Sequence, residues 1–435
     1  MKFINDNPHR KFRCISDRLW IYGNLNINDN ILLYILDEKG DFSHIRGQFA
    51  FVYINKDRWI GCVDHIASTQ LFYSKGFISP SLRDVKKNCK VTINEFTRNC
   101  RLIMGEYVPG TITPYNEITR LRQECYVKNG TQWPYMDICN EPTRKFDVDE
   151  AYELIKIASN REPSHTLLMS GGKDSAFLGM LSKHLEHKCR MVHIASMKNS
   201  KHSVDEAQCR LFKEEMKWRI LRYPIEHSGP QNAEDKELYC RKDWWHDNTH
   251  PVKSLCGQNW NNIKVTGEVS VADQQRSTYA SYLVNMGDRA TAHDVVMIHL
   301  RGCVTNNNKA IPFSATDQIF AEFKKKYLEE FQYLYIHFLD KLNSIDKDPI
   351  YAYYIFRNQM VQSHRLYGQS QDPNCSWYAP FADYDVYNLL LNIEWDARGN
   401  KIQKKPLYDI AKAKFGKHFT DIPWRFPIMG MGIRT

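Results

Sequence analysis

The chain has 435 residues, 43% of them hydrophobic, with a mean hydropathy of −0.54 and a net charge of +9, which predicts a soluble globular protein of two or three domains. No apolar run approaches the roughly 20 residues that span a bilayer, residues 1–8 lack the apolar core of a secretory signal, and the twelve cysteines include no Cys-x-x-Cys pair. That pattern argues against a zinc ribbon, a cluster held by paired thiolates or a disulfide framework, and it predicts a reducing, cytoplasmic setting. The positive charge gathers at 83–90, 120–128 and 324–326 without interleaved aromatic residues, so nucleic acid is a possible partner but not the favoured one.

In chain order, the residues up to about 140 read as strand-rich. Gln48–Ile54 is a run of β-formers and Trp59–Val63 follows after the polar stretch 55–58, which predicts a hairpin with a four-residue turn. Residues 141–150, with Pro142, Arg144 and Lys145, read as a linker. Helix and strand then alternate: a helix over 149–158, a buried strand at Thr166–Met169, and a helix over 176–185 whose apolar residues recur at helical spacing. A strand at 190–196 follows, then a helix from the capping box at Ser203–Glu206 to about Met216, and strands at 218–224 and 263–266. This alternation predicts a parallel, doubly wound sheet with its ligand beyond the carboxyl ends of the strands. Past about 315 the chain reads as helical, with an aromatic core stripe from Ile319 to Phe338. His246 and His250 beside Asp247 lack a third metal-ligand group and read as loop.

The most informative residues are Ser170-Gly171-Gly172-Lys173-Asp174-Ser175, which join the strand at 166–169 to the helix that follows. Two glycines let successive N–H groups converge on one anion, and the helix adds its own unpaired N–H groups and the positive end of its dipole. The hydroxyls of Ser170 and Ser175 can donate to phosphate oxygens, and Asp174 can hold the Mg²⁺ that accompanies ATP. No Walker A string occurs in the chain.

Ser-Gly-Gly-x-Asp-Ser resembles the PP-loop of the N-type ATP pyrophosphatases, which cut ATP between the α- and β-phosphates. Four further stretches are similar to class B asparagine synthetases, in that family's order. They are Arg46-Gly47-Gln48-Phe49-Ala50-Phe51 with Asp64-His65 and Leu71-Phe72-Tyr73; Val265-Thr266-Gly267-Glu268 with Asp273; Arg365 to Asp383, ending Pro380-Phe381-Ala382-Asp383; and Lys404-Lys405-Pro406-Leu407 with the tail Trp424-Arg425-Phe426-Pro427. The resemblance implies a β-rich Ntn-type glutaminase-like sandwich over 1–140 and an ATP pyrophosphatase domain over 151–435. The activity it implies is adenylation of a small carboxylate and transfer to ammonia or an amine.

By that resemblance, Ser170, Gly171, Gly172, Asp174 and Ser175 hold the pyrophosphate end of ATP. Backbone near Leu168 and Ala195, together with Gly267, completes the nucleotide site. Asp174 and Asp273 carry Mg²⁺, Glu268 takes the proton from the attacking nitrogen, and Lys404 neutralises charge, with Lys405 open as the alternative. The departures matter equally. Met1 is followed by Lys2 and the nearest cysteine is Cys14, so the N-nucleophile of a glutaminase is not expected. Lys173 stands where the synthetases carry an apolar residue and is a further catalytic candidate. It is common in PP-loop enzymes that modify RNA or nucleobases, which keeps that activity as an alternative, beside a silent binding protein. Tyr408 replaces an expected arginine.

Overall fold

The computed structural model describes residues 1–5, 12–38, 40–97, 111–137, 142–196, 208–214, 216–225, 263–265, 267, 376–394 and 404–416, with a few single positions besides. They form a mixed α/β protein with three sheets and no closed barrel. The described elements fall into two compact units, the first holding those within Met1–Asn140 and the second those within Glu141–Cys240, Asn248–Arg276 and Gln369–Thr435. Among the described residues no helix is long and apolar enough to cross a membrane.

The first unit contains β1 (Lys2–Phe3), β2 (Arg13–Ser16), β3 (Leu19–Leu25), α1 (Asp29–Asp37), β4 (Gly47–Asn55), β5 (Arg58–Val63), β6 (Phe72–Ser74), β7 (Phe77–Ser79), α2 (Leu82–Asn88), β8 (Thr119–Arg120), β9 (Cys125–Lys128) and β10 (Thr131–Pro134). A six-stranded antiparallel sheet runs β10-β9-β5-β4-β3-β2, and a four-stranded sheet runs β1-β7-β6-β8. Alternation along β4 explains its uninterrupted apolar run. Phe49, Phe51 and Tyr53 pack with Leu32 and Leu36 of α1. Ala50 and Val52 pack with Tyr73 and Ile78 of the smaller sheet. Both faces of the strand are therefore core.

The hairpin is tighter than its polar run suggested. Asn55 still pairs with Arg58, so only Lys56 and Asp57 turn, with Lys56 at φ 52°. A second expectation fails at Arg120. It was grouped with a solvated basic stretch, yet it is 1% exposed, and burial pushes its guanidinium down to about 9.

The second unit contains α3 (Val148–Asn160), β11 (Ser164–Leu168), α4 (Lys173–His184), β12 (Lys188–Ser196), β13 (Ile220–Ile225), β14 (Ile263–Val265), β15 (Ser376–Tyr378), α5 (Tyr384–Asn392) and α6 (Lys405–Phe415). Asp147 caps α3 by accepting from the Glu150 N–H, and Arg144 exchanges backbone hydrogen bonds with Asn392 and Glu394. The stretch 141–150 is thus part of this unit rather than a free linker.

The sheet is parallel throughout, in the order β13-β12-β11-β14-β15. Successive strands step outward in one direction from β11, and then the order reverses at β14. Such a reversal opens a crevice at the carboxyl ends of the two strands that flank it. Around the sheet, Phe415 of α6 meets Tyr152, Phe177 and His184 edge-on or tilted. Tyr378 donates to the Ala158 carbonyl at 2.9 Å, and Arg161 pairs with the buried Asp383 at 3.0 Å. Asp383 also caps α5, a structural duty that accounts for its burial. The aromatic stripe from Ile319 to Phe338, the histidines at 246 and 250, and the tail at 424–427 lie outside the described residues.

Candidate functional site

The turn at 170–175 leaves the carboxyl end of β11, the strand where the order reverses. Gly171 sits at φ 74°, in the left-handed region that glycine alone adopts without strain. The helix begins at Lys173, earlier than its apolar spacing suggested, because Gly172 serves as N-cap and the first helical bond runs from the Ala176 N–H to the Gly172 carbonyl at 3.0 Å. Lys173, Asp174 and Ser175 therefore form the first turn of α4. Gly172 has no side chain to cap it, which is the arrangement that suits an anion.

The serine hydroxyls brace the turn. Ser175 Oγ donates to the Gly172 carbonyl at 3.0 Å and accepts from the Ser170 N–H at 3.3 Å. Ser170 Oγ lies 3.2 Å from Ser175 Oγ and accepts from the Gly172 N–H at 3.3 Å. The end of β14 closes on the same turn. A Cβ placed on Gly267 would come 2.8 Å from Asp174 Cβ and 3.2 Å from the Ser175 nitrogen, so a residue with a side chain does not fit there.

The decisive contact is brought from far along the chain. Lys404 Nζ donates to Asp174 Oδ2, an ion pair between residues 230 apart in sequence. Lys404 is 4% exposed and its backbone is left-handed at φ 61°, immediately before α6. Such strain in a residue with a side chain persists only when its surroundings hold it, and it clusters at functional sites. Lys405, the alternative, pairs instead with Asp409, one turn along its own helix.

The second carboxylate oxygen of Asp174, Oδ1, is buried with no hydrogen-bond partner among the described residues. A buried carboxylate oxygen is costly to leave unpaired, and a divalent cation is the group that would occupy it. Asp174 is therefore a residue that could hold a cation through Oδ1. Glu268 and Asp273, expected as proton acceptor and second metal ligand, lie outside the described residues. Among the described residues no three potential metal ligands cluster.

Leu168 is half-buried at the end of β11, and Ala195 lies near the end of β12, in register with Pro224. Lys173 Nζ lies 5.0 Å from the centroid of the Tyr408 ring.

No protein-family model matches this chain, and no curated protein matches it. What the site can do is read from its own residues. Two of them carried no signal as members of a site. Tyr408 was visible only as a departure from a motif. His193 is a strand residue whose Nδ1 lies 2.8 Å from the Met169 carbonyl, so it donates there. Its Nε2 is buried without a partner among the described residues, one position after the strand pair that starts the turn. Cys14, the first cysteine in the chain, lies in β2 with its thiol donating to the Ser16 carbonyl at 2.9 Å.

Proposed function

We propose that the chain is an ATP-dependent amide-forming ligase that adenylates a carboxylate, releases pyrophosphate, and passes the acyl group to ammonia or an amine with release of AMP. The observation that carries this reading is the Lys404–Asp174 pair on the Gly-rich turn at the carboxyl end of the central strand, with one carboxylate oxygen unpartnered among the described residues. In the same reading the first unit is a degenerate Ntn-type glutaminase-like sandwich and the second a doubly wound PP-loop domain. The helix–sheet–sheet layering of one and the reversed strand order of the other support it.

A carboxylate reacts with an amine only after one of its oxygens has become part of a leaving group, and attack on the α-phosphorus of ATP achieves that. The residues of the chain divide the work. N–H groups at the start of α4 and the hydroxyls of Ser170 and Ser175 bind the β- and γ-phosphates, while the ammonium groups of Lys173 and Lys404 oppose charge as it builds on the phosphate oxygens. Gly267 lets the end of β14 approach the turn, and backbone near Leu168 and Ala195 flanks the base. Glu268 is assigned the proton of the attacking nitrogen. Magnesium, held through Asp174, would add charge neutralisation at the same oxygens. One observation favours a second reading, adenylation of a nucleobase or RNA: the ammonium of Lys173 within the loop.

The test is product analysis with MgATP, a panel of small carboxylates and ammonium or primary amines. AMP and pyrophosphate are expected. Formation of ADP and orthophosphate would sink both readings, and tight binding of a mixed RNA pool that falls steeply with salt would favour the second.

A further inference from the structure

We propose that Tyr408 is a positioning residue that holds the ammonium of Lys173 at the polyphosphate end of the site, an inference that rests on the nucleotide reading above. The first turn of α4 presents Lys173 and Asp174 in succession. The start of α6 presents Lys404 and Tyr408, whose N–H donates to the Lys404 carbonyl at 3.2 Å. The two pairs interlock: Asp174 takes Lys404, and Lys173 Nζ lies over the Tyr408 ring at 5.0 Å. Both Lys173 and Tyr408 are half-buried.

The chemistry of the partner is what makes this more than packing. A lysine side chain has a flexible four-carbon stem and sweeps a wide volume, so recruiting it to a ligand costs ordering entropy. A carboxylate at position 408 would confine it but cancel the charge that a polyphosphate needs. An aromatic face confines it and leaves the charge intact, because the attraction is to the ring quadrupole. Tyr408 therefore pre-orders a full positive charge beside the turn, and the benefit falls on ligands that carry β- and γ-phosphates.

The test uses the full chain with Mg²⁺ and calorimetric titration of ATP, pyrophosphate and AMP. Tyr408→Leu should weaken ATP and pyrophosphate by about 3- to 10-fold, the range expected from a partly desolvated cation–π contact. Tyr408→Phe, which keeps the ring, should restore most of that loss. Lys173→Met should lose at least as much as Tyr408→Leu, and the double variant no more than Lys173→Met. AMP, which lacks the β- and γ-phosphates, should bind all variants alike, which general damage to the fold would not permit. If the unsubstituted chain binds neither ATP nor pyrophosphate, the nucleotide reading falls and this inference with it. If it binds both and Tyr408→Leu is unchanged, or weakened equally toward AMP, only the role of Tyr408 is overturned.

Discussion

Each unit seats an aspartate shortly after a strand, and the two are used in opposite ways. Asp64 follows β5 and is fully buried, and everything it holds is close by in the chain or the sheet. It accepts from the N–H groups of Phe49, Ile66 and Ser68, each at 3.0 Å, and from the Ser68 hydroxyl. Asp174 follows β11 and is held by a lysine 230 residues away, with one oxygen unpartnered among the described residues. A carboxylate saturated by neighbouring backbone fixes the path of a loop. A carboxylate held by a distant cation, with capacity to spare, suits the ligand-binding role proposed for it.

The strongest way to break this contrast is to substitute both. Asp174→Asn, whose amide oxygen still accepts from the buried Lys404 ammonium, should lower AMP formation by on the order of a thousandfold at a small cost in melting temperature. Asp64→Ala should do the reverse. It strands three backbone donors and a hydroxyl, costing roughly 3 kcal/mol of stability, with catalysis by the surviving folded fraction intact. Equal losses of stability in the two variants would erase the distinction.

Glycines sharpen the comparison at a smaller scale. Gly61 in the first unit and Gly267 in the second each leave no room for a Cβ, which would meet Ile78 Cδ1 at 2.7 Å and Asp174 Cβ at 2.8 Å, respectively. Gly61→Ala presses on the end of a side chain and should cost about 1–3 kcal/mol in a thermal melt. Gly267→Ala displaces the turn itself, and turnover should fall up to about 100-fold. A Gly267→Ala enzyme with full turnover would remove β14 from the site.

A third expectation concerns pH. Burial holds the His65 imidazole down to about 3, with the nearby Arg46 charge adding to the effect. Below about 6.5 the unfolded chain therefore takes up a proton that the folded chain refuses, and stability falls on acidification by up to about 1.4 kcal/mol per pH unit. Burial lifts Asp64 to about 6, so its contribution runs the other way and is lost as pH rises from about 4 through 6. The two nearly offset each other between those values. His65→Gln should unmask Asp64, giving a first unit that gains stability as pH drops through this window. Denaturant melts at pH 4, 5 and 6 decide it, and a variant that loses stability on acidification there counts against the assignment.

The smallest expected effect lies inside the second unit. Among the described residues Lys405 pairs with Asp409 one turn away, so Lys405→Met should cost at most about 0.5 kcal/mol and leave AMP formation unchanged. Lys404→Met should lose activity. The opposite outcome would shift the active lysine by one residue.

Much of this was legible in the sequence where one physical cause acts locally. The apolar run of β4, the strand–turn–helix at 166–185 and the placement of Ser170–Ser175 at a strand end all follow from side-chain periodicity and two adjacent glycines. Local causes also set the errors. Apolar spacing dated α4 from Ala176, whereas the cap at Gly172 starts it at Lys173. Polarity counted four residues in the β4–β5 turn, although Asn55 and Arg58 keep their pairing. What stayed hidden depends on the far side of the fold. Nothing in the string Lys404-Lys405 tells which ammonium a left-handed backbone aims at Asp174. Lys173 and Tyr408 read as two unrelated departures from a motif, yet they touch.

The separation of Asp174 from Lys404 also has a consequence on the ribosome. Chains are made at about 5–20 residues per second. The 230 residues between these partners therefore take roughly 10–50 s to emerge. Throughout that interval the glycine turn is complete but its carboxylate has no lysine. A growing chain can thus complete β11 and the glycine turn well before the lysine that pairs with Asp174 has been made.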